Sequence, residues 1–351
     1  MAHWNRPREY AQMIEIARLY FDQRLTQKDI AERLGIPQTT ISRLLQRASE
    51  EGIVKHVISP PLLLGLQADV LKKSRSKGIR DVRVVPAAGL GDTDDKNIQN
   101  LGAQGAEYLW EVLSQHEGEE VTISMACGDT LGALARQFVS YLQQDPSALG
   151  ELKKKTIWLY PLNLFWEPEL ESTIYPPALV VTLGTQLIAL DCKVHAFAPQ
   201  PPLHFYREFD TMDKEQRKRQ IEKYDVYLDK AKKADIFLLG IGAFRNDDKY
   251  KRVLNELDNK QSFEEAMVAG EVNYQPFTHD GKFVPLRKLL AVTGEELSEI
   301  AAKTTKKVIA VAGGRKGNKT AAILASLKCN PPYNVLITDE VMAEQILDAP
   351  L

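Results

Sequence analysis

"LTQKDIAERLGIPQTTISRLLQRASEEGIV", residues 25–54, holds two short amphipathic segments joined by a glycine and a proline. Thr26 can cap a helix from Gln27 to about Leu34, because its hydroxyl accepts an amide that the helix start leaves without a partner. Gly35 suits the left-handed position that ends such a helix. Pro37 fits the first turn of the next helix, where its missing N–H costs nothing. That helix should run to about Ser49, with Ile41, Leu44, Leu45 and Ala48 on its buried face. Two uses are open to such a pair: a hairpin that fills a core, or a helix-turn-helix that reads DNA.

Working outward, residues 9–23 place Met13, Ile14, Ala17, Leu19, Tyr20 and Phe21 at helical spacing and predict a helix ahead of the pair. "GIVKHVIS" (52–59) predicts a short strand, a plausible wing. Pro60 and Pro61 then break the chain before an apolar helical stretch. The expected division is a helix-turn-helix domain over 1–58, a linker helix over 59–80 and an α/β domain over 81–351.

Length alone suggests two or three domains, since the chain has 351 residues. With 44% hydrophobic and 26% charged residues it has the composition of a globular protein with real cores. The formal net charge of −2 excludes a chain that is basic throughout. Residues 1–58 carry nine Lys and Arg against seven Asp and Glu, a mild positive bias that permits nucleic-acid contact. Three distant cysteines, Cys127, Cys192 and Cys329, argue for a reducing compartment and against a disulfide framework or a zinc site. No apolar run approaches the roughly 18 residues of a membrane span, and the N-terminus lacks a signal-peptide core. A cytoplasmic protein is expected.

From about residue 80 the pattern alternates strand and helix. Strands are expected at 81–87, 121–126, 156–162, 193–199, 235–242, 306–314 and 334–339, with helices at 96–115, 130–143, 175–190, 213–233, 292–303 and 317–328. Short, nearly continuous apolar strands between helices mean a mainly parallel, doubly wound sheet covered on both faces. The expected fold class is therefore α/β, with an N-terminal winged helix-turn-helix domain.

Ligands of such a sheet bind beyond the carboxyl ends of its strands. Gly128, Asp129 and Thr130 open a helix there, and its free amides and dipole suit a phosphate, though the same residues also make a plain strand-to-helix turn. "GIGAFRND" (240–247) offers Gly242 and Arg245, and "GGRKGNKT" (313–320) offers Arg315, Lys316 and Lys319. The second is not a nucleotide P-loop, because Asn318 separates the last glycine from the lysine. Asp339 caps the last helix. Glu271 could hydrogen-bond sugar hydroxyls or cap a turn. His195 lies in an apolar strand and reads as packed; His279 reads as a hairpin residue. No metal-spaced pair and no nucleophile elbow is present, so no cofactor is expected.

Taken in order, "ARLYF", "LTQKDIAERLGI", "ISRLLQRASEEGIV", "GDTL", "ADIFLLGIG", "GEVNYQPFTHDGK", "VIAVAGG" and "NVLITDE" resemble the SorC family of bacterial sugar-binding transcriptional regulators. The resemblance covers nearly the whole chain. It implies a helix-turn-helix domain followed by an effector domain similar in fold to ribose-phosphate isomerase and glucosamine-phosphate deaminase, in a homodimer or homotetramer. It places the phosphate-binding turn on Gly128, Asp129 and Thr130, and an effector-contacting glutamate on Glu271. A lysine falls on Lys316 or Lys319, and a basic residue on Arg252 or Arg245. Two stretches depart from the family. "YPLNLFWEPELES" (160–172) replaces a glycine-containing segment, so Trp158 and Trp166 could stack on a ligand ring or pack internally. Pro37-Gln38 stands where relatives often have Ser-Arg.

On that reading Gln38, Thr39, Thr40, Ser42 and Arg43 face base edges or phosphates of double-stranded operator DNA, while Gln27 and Arg47 hold the backbone. The effector, a sugar or sugar phosphate, is held by Gly128, Asp129, Thr130, Gly242, Arg245, Arg252, Glu271, Arg315, Lys316 and Asp339. The alternatives are a sugar-phosphate isomerase or deaminase using Glu271 or Asp339, and a sensor without DNA binding.

Overall fold

A computed structural model describes residues 6–54, 61–87, 94–165, 175–201, 203–244, 253–255, 257–258, 267–303, 305–314 and 319–350. The chain forms two compact units, residues 1–57 and 58–351.

The first unit is three helices: α1 (Arg6–Ala17), α2 (Gln27–Leu34) and α3 (Gln38–Glu50). A wider π-type turn, Arg18–Asp22, extends α1. Thr26 caps α2 reciprocally with Asp29: the Asp29 amide donates to the Thr26 hydroxyl at 3.2 Å, and the Thr26 amide donates to the Asp29 carboxylate at 3.1 Å. Gly35 ends α2 at φ +65°, a left-handed conformation that glycine adopts without a Cβ penalty. Met13, Ile16, Leu19, Ile30, Ile41, Leu44, Leu45 and Ala48 make one core.

Three expectations change here. Pro37 lies just outside α3, with extended ψ of 139°, and its carbonyl accepts the first helical bonds from Thr40 and Ile41. Ile14 and Phe21 face solvent, 41% and 40% exposed. A helix turns about 100° per residue, so Ile14 cannot share the face of Met13, and Ile16 fills that place. Residues 51–54 turn and bend instead of starting a strand, and 55–60 lie outside the described residues.

The second unit is built on a seven-stranded parallel sheet. In chain order the strands are β1 (Asp81–Val85), β2 (Glu120–Met125), β3 (Thr156–Pro161), β4 (Lys193–Ala196) and β5 (Ile236–Leu239), then β9 (Lys307–Val311) and β10 (Val335–Asp339). Across the sheet the order is β1-β10-β9-β5-β2-β3-β4. The apolar runs form strands because helices cover both faces. Among these are α5 (Asp94–Gln115), α6 (Asp129–Gln144), α8 (Pro176–Ile188) and α10 (Lys214–Ala231), with α7 (Pro146–Leu152) and α9 (Leu203–Glu208) between them. Gly184 of α8 lies against Leu159 and Ala196, whereas α10 lies on the other face, where the Ser124 hydroxyl donates to the Ala231 carbonyl at 2.9 Å. Helix α4 (Leu64–Ser74) packs on β1 and on the final helix, α13 (Glu340–Asp348), as part of this second unit.

Between β5 and β9 comes an antiparallel sheet absent from the strand expectations: β6 (Gly242–Ala243), β7 (Val268–Val272) and β8 (Gln275–Thr278). Asn273 and Tyr274, at φ +56° and +68°, make the two-residue turn of the β7–β8 hairpin. Glu271 therefore sits within a strand, opposite Gly242. α11 (Gly294–Ala302) and α12 (Lys319–Ser326) complete the described helices named here.

His195 also departs from expectation. It is exposed on the edge strand β4 and stacks on Trp158, ring centroids 4.1 Å apart. Trp158 in turn stacks on Phe197 at 5.9 Å, so its ring is occupied by the sheet's own aromatics. Trp166 lies outside the described residues.

A partly buried ionic cluster ties α9 to the chain beyond β8. Asp210 accepts from Lys288 at 2.9 Å and from Arg287 at 2.8 Å, and Arg287 also reaches the fully buried Asp258 at 2.9 Å. Lys288, then Arg287, holds the Asp210 carboxyl well below the usual range. A depressed carboxylate contributes stability above its unfolded value, near pH 4, and loses it as pH falls through the folded value. Asp210→Asn should therefore lower the thermal midpoint at pH 7. The gap from wild type should shrink below about pH 4; a gap that does not change with pH would remove the charge from this account.

Candidate nucleic-acid interface and effector site

In the first unit, the face of α3 opposite its core is open. Gln38, Thr39, Ser42 and Arg43 are exposed and Thr40 is half-buried. Arg43 has no partner among the described residues. Gln27 is half-buried in the first turn of α2, where amides without intrahelical acceptors collect. Such a helix start suits a phosphate.

Arg47 is placed differently from the expectation of a phosphate contact. Its guanidinium pairs with Glu9 of α1 and, at 2.8 Å, with Glu51. Its charge is used to tie α1 to the end of α3, because i and i+4 residues share a helix side and Glu9 faces them.

In the second unit, strand order decides where a ligand can sit. From β2 the chain proceeds through β3 to β4 in one direction; it then re-enters at β5, on the other side of β2, and proceeds through β9 to β10. The loops after β2 and β5 both leave the carboxyl edge at this reversal, the candidate position for a ligand of such a sheet.

Gly128, Asp129 and Thr130 line its β2 side. Gly128 has φ +117° and ψ 165°, a region essentially restricted to glycine, and nothing lies within 4 Å of the place a Cβ would occupy. Asp129, the first residue of α6, is exposed, while Thr130 is buried. The first amides of α6 have no intrahelical acceptor and carry the positive end of the dipole.

The β5 side brings Gly240 and Gly242. A Cβ on Gly240 would lie 3.5 Å from the Cys127 carbonyl, which shows how closely the two loops approach. A Cβ on Gly242 would fall 2.0 Å from the Glu271 carboxylate, so this glycine makes room for that side chain. Glu271 accepts from the Tyr274 amide at 2.7 Å and so braces the hairpin turn. This is the turn-capping alternative, with the second carboxylate oxygen against Gly242.

Two neighbours were missed in the sequence. The Cys127 thiol lies 3.8 Å from the Tyr274 hydroxyl. Burial pushes both groups up, and the charge of Glu271 pushes them in the same direction. The only sequence sign of this pairing was that Cys127 precedes the glycine turn and Tyr274 follows Glu271 by three positions.

On the β9–β10 side, Asp339 is 1% exposed and its oxygens are taken up inside the protein. One accepts from the Met342 amide at 2.9 Å, capping α13; the other accepts from the Asn97 side-chain amide at 2.8 Å and from the Gly314 amide. A Cβ on Gly313 would come 2.3 Å from that second oxygen, so the paired glycines can wrap the carboxylate. Asp339 thus shapes the loop after β9. Arg245, Arg252, Arg315 and Lys316 lie outside the described residues, and Lys319 opens α12. Among the described residues, no group of three or more His, Cys, Asp or Glu could hold a metal ion, and no helix is long and apolar enough to cross a membrane.

Comparison with known proteins agrees with this division. A model described as "Putative sugar-binding domain" matches residues 210–348, and one described as "Winged helix-turn-helix DNA-binding" matches residues 15–55. The sorbitol operon regulator of Klebsiella pneumoniae is 36% identical over 101 residues, 29% of this chain and 31% of that protein. The deoxyribonucleoside regulator of Bacillus subtilis is 25% identical over 95% of this chain and 96% of its own. The crystal structure of the full-length sorbitol operon regulator SorC from Klebsiella pneumoniae superposes with a TM-score of 0.61 at 23% identity, covering 97% of this chain and 99% of that one. This last likeness speaks for the fold.

Proposed function

We propose that this chain is a regulator of the SorC type and that it binds operator DNA with an affinity set by a sugar or sugar-phosphate effector. The observation that carries the DNA half is the exposed edge of α3, with Gln38, Thr39, Ser42 and Arg43 opposite the buried face. Gln can pair with adenine and Arg with guanine in the major groove. The effector half rests on the reversal of strand order between β2 and β5, where the free amides at the start of α6 suit a phosphate and Glu271 lies on the neighbouring strand β7. Arg245, Arg252, Arg315 and Lys316 stay in this proposal as the cations that would complete it. One such module is a small interface, so a homodimer or homotetramer in the cytoplasm is part of the proposal. The effector must favour one arrangement of the subunits, since equal affinity for both shifts nothing. An enzyme would need a carboxylate available for proton transfer, and Asp339 spends both oxygens on internal N–H groups.

Binding of the full-length protein to DNA upstream of its own gene tests this. A salt-sensitive, sequence-preferring complex is expected, and Arg43→Ala should weaken it by about 1–3 kcal/mol, roughly 5- to 150-fold. Arg47→Ala should act mainly on the stability of the first unit. A complex indifferent to Arg43→Ala would sink the assignment of α3 as the reading helix.

A further inference from the structure

We propose that the outer face of α8 is where two copies of this chain meet, antiparallel, about a two-fold axis at Thr185. This deepens the homodimer or homotetramer of the reading above, on which it rests, by giving the contact a surface.

The face is marked first by what it lacks. Between Glu171 and Asp191 no residue is charged, although 26% of the chain is. A helix whose far side meets water normally carries charged and polar residues there, and more than half the residues of α10 are charged. In α8 the sheet side is apolar, with Leu179, Val180, Leu183 and Leu187 buried. Its water side presents Val181, Thr182, Thr185, Ile188 and the following Ala189, all exposed. Val181 is 45% and Ile188 54% exposed. Single exposed apolar residues are ordinary, but two on one uncharged face make a patch that gains by leaving water.

A second copy is the occupant that the spacing fits. Val181 and Ile188 are about two helical turns apart and lie within about 20° of one line along the helix. Thr185 stands midway between them along the axis, near the middle of the exposed arc. A two-fold axis at Thr185 therefore lays Val181 of each copy on Ile188 of the other, and Thr185 on its own mate. With no charges in the face, no like charges are brought together, and a different protein would gain no charge pairing that selects it. A lipid surface fits less well, because helices that lie on membranes carry Lys and Arg on their polar side, and residues 172–190 have neither. At about 1.5 Å per residue the 13-residue helix is about 20 Å long, short of a standard interface of roughly 800 Å² per partner. The face is therefore one contact of an assembly that has others, and its loss should split that assembly without unfolding the chain.

Sedimentation of the full-length protein at low micromolar concentration tests this. The wild type should be a dimer or tetramer. Val181→Glu should halve its mass, weakening association at least about 100-fold, because a two-fold contact buries the unpaired charge twice. Ile188→Lys should do the same, and circular dichroism should show both variants folded, since the two positions face water in one copy. Thr185→Cys tests the axis: mild copper-catalysed oxidation in air should link it into covalent dimers well above the level of the wild type treated alongside. A monomeric wild type overturns this inference together with the oligomer of the reading above. An oligomer whose mass Val181→Glu and Ile188→Lys leave unchanged overturns this inference alone, as does Thr185→Cys linking no better than the wild type. If the charged variants do not fold, Thr185→Cys carries the test.

Discussion

Asp339→Ala is expected to destabilise the α/β unit by about 4 kcal/mol and to abolish any response to effector. The change removes the cap of α13, a loss of about 1 kcal/mol by itself. It also leaves the buried Asn97 side-chain amide and the half-buried Gly314 amide without their acceptor. Each buried donor so stranded costs about 1–3 kcal/mol. Denaturant titration of the full-length protein measures the effect. Asp339→Asn sharpens it: the cap can survive on the remaining oxygen, but the new N–H₂ would face two other donors. It should lose most of the stability that alanine loses. A loss below about 1 kcal/mol for Asp339→Ala would show that the loop after β9 does not depend on this carboxylate.

Gly128→Ala is the second large effect, and its cause is purely conformational. Nothing lies within 4 Å of the new methyl group, so sterics against neighbours play no part. The backbone at φ +117° and ψ 165° is one that a side chain disfavours by about 1–3 kcal/mol. The chain either holds that strain or rotates the peptide, and rotation turns the α6 amides away from the candidate ligand position. We expect a loss of stability within that range and at least about tenfold weaker binding of a sugar phosphate. Thermal-shift titration against pentose, hexose and hexitol monophosphates separates the two consequences. Wild-type affinity in a destabilised variant would move the anion site away from the start of α6.

Much of the architecture was legible because it rests on local rules. Thr26 and Gly35 bound α2 as their chemistry dictates, and each apolar run from Val82 to Leu336 became a strand of one parallel sheet. The short antiparallel hairpin escaped because "AGEVNYQPF" has no clean period of two: a tight Asn-Tyr turn with two positive φ values interrupts it. His195 misled for a related reason. Its flanking apolar residues suggest a central strand, whereas strand order puts β4 at the edge.

The candidate sites divide in the same way. Which residues of α3 face outward follows from helical periodicity, so Gln38, Thr39, Ser42 and Arg43 could be named in advance. That Arg47 is taken by Glu9 could not, because the two are 38 positions apart and meet only when α1 packs on α3. The sequence by itself determined the classes present, a helix-turn-helix and a mainly parallel α/β sheet, and the glycine-rich turns at strand ends, since capping, periodicity and turn chemistry act over a few residues. Only the tertiary structure decided that the loops after β2 and β5 approach each other, that Glu271 braces a hairpin beside Cys127, and that Asp339 joins Asn97 to Gly314. Those pairings depend on strand order and helix packing, which bring together groups whose separation along the chain carries no local signal.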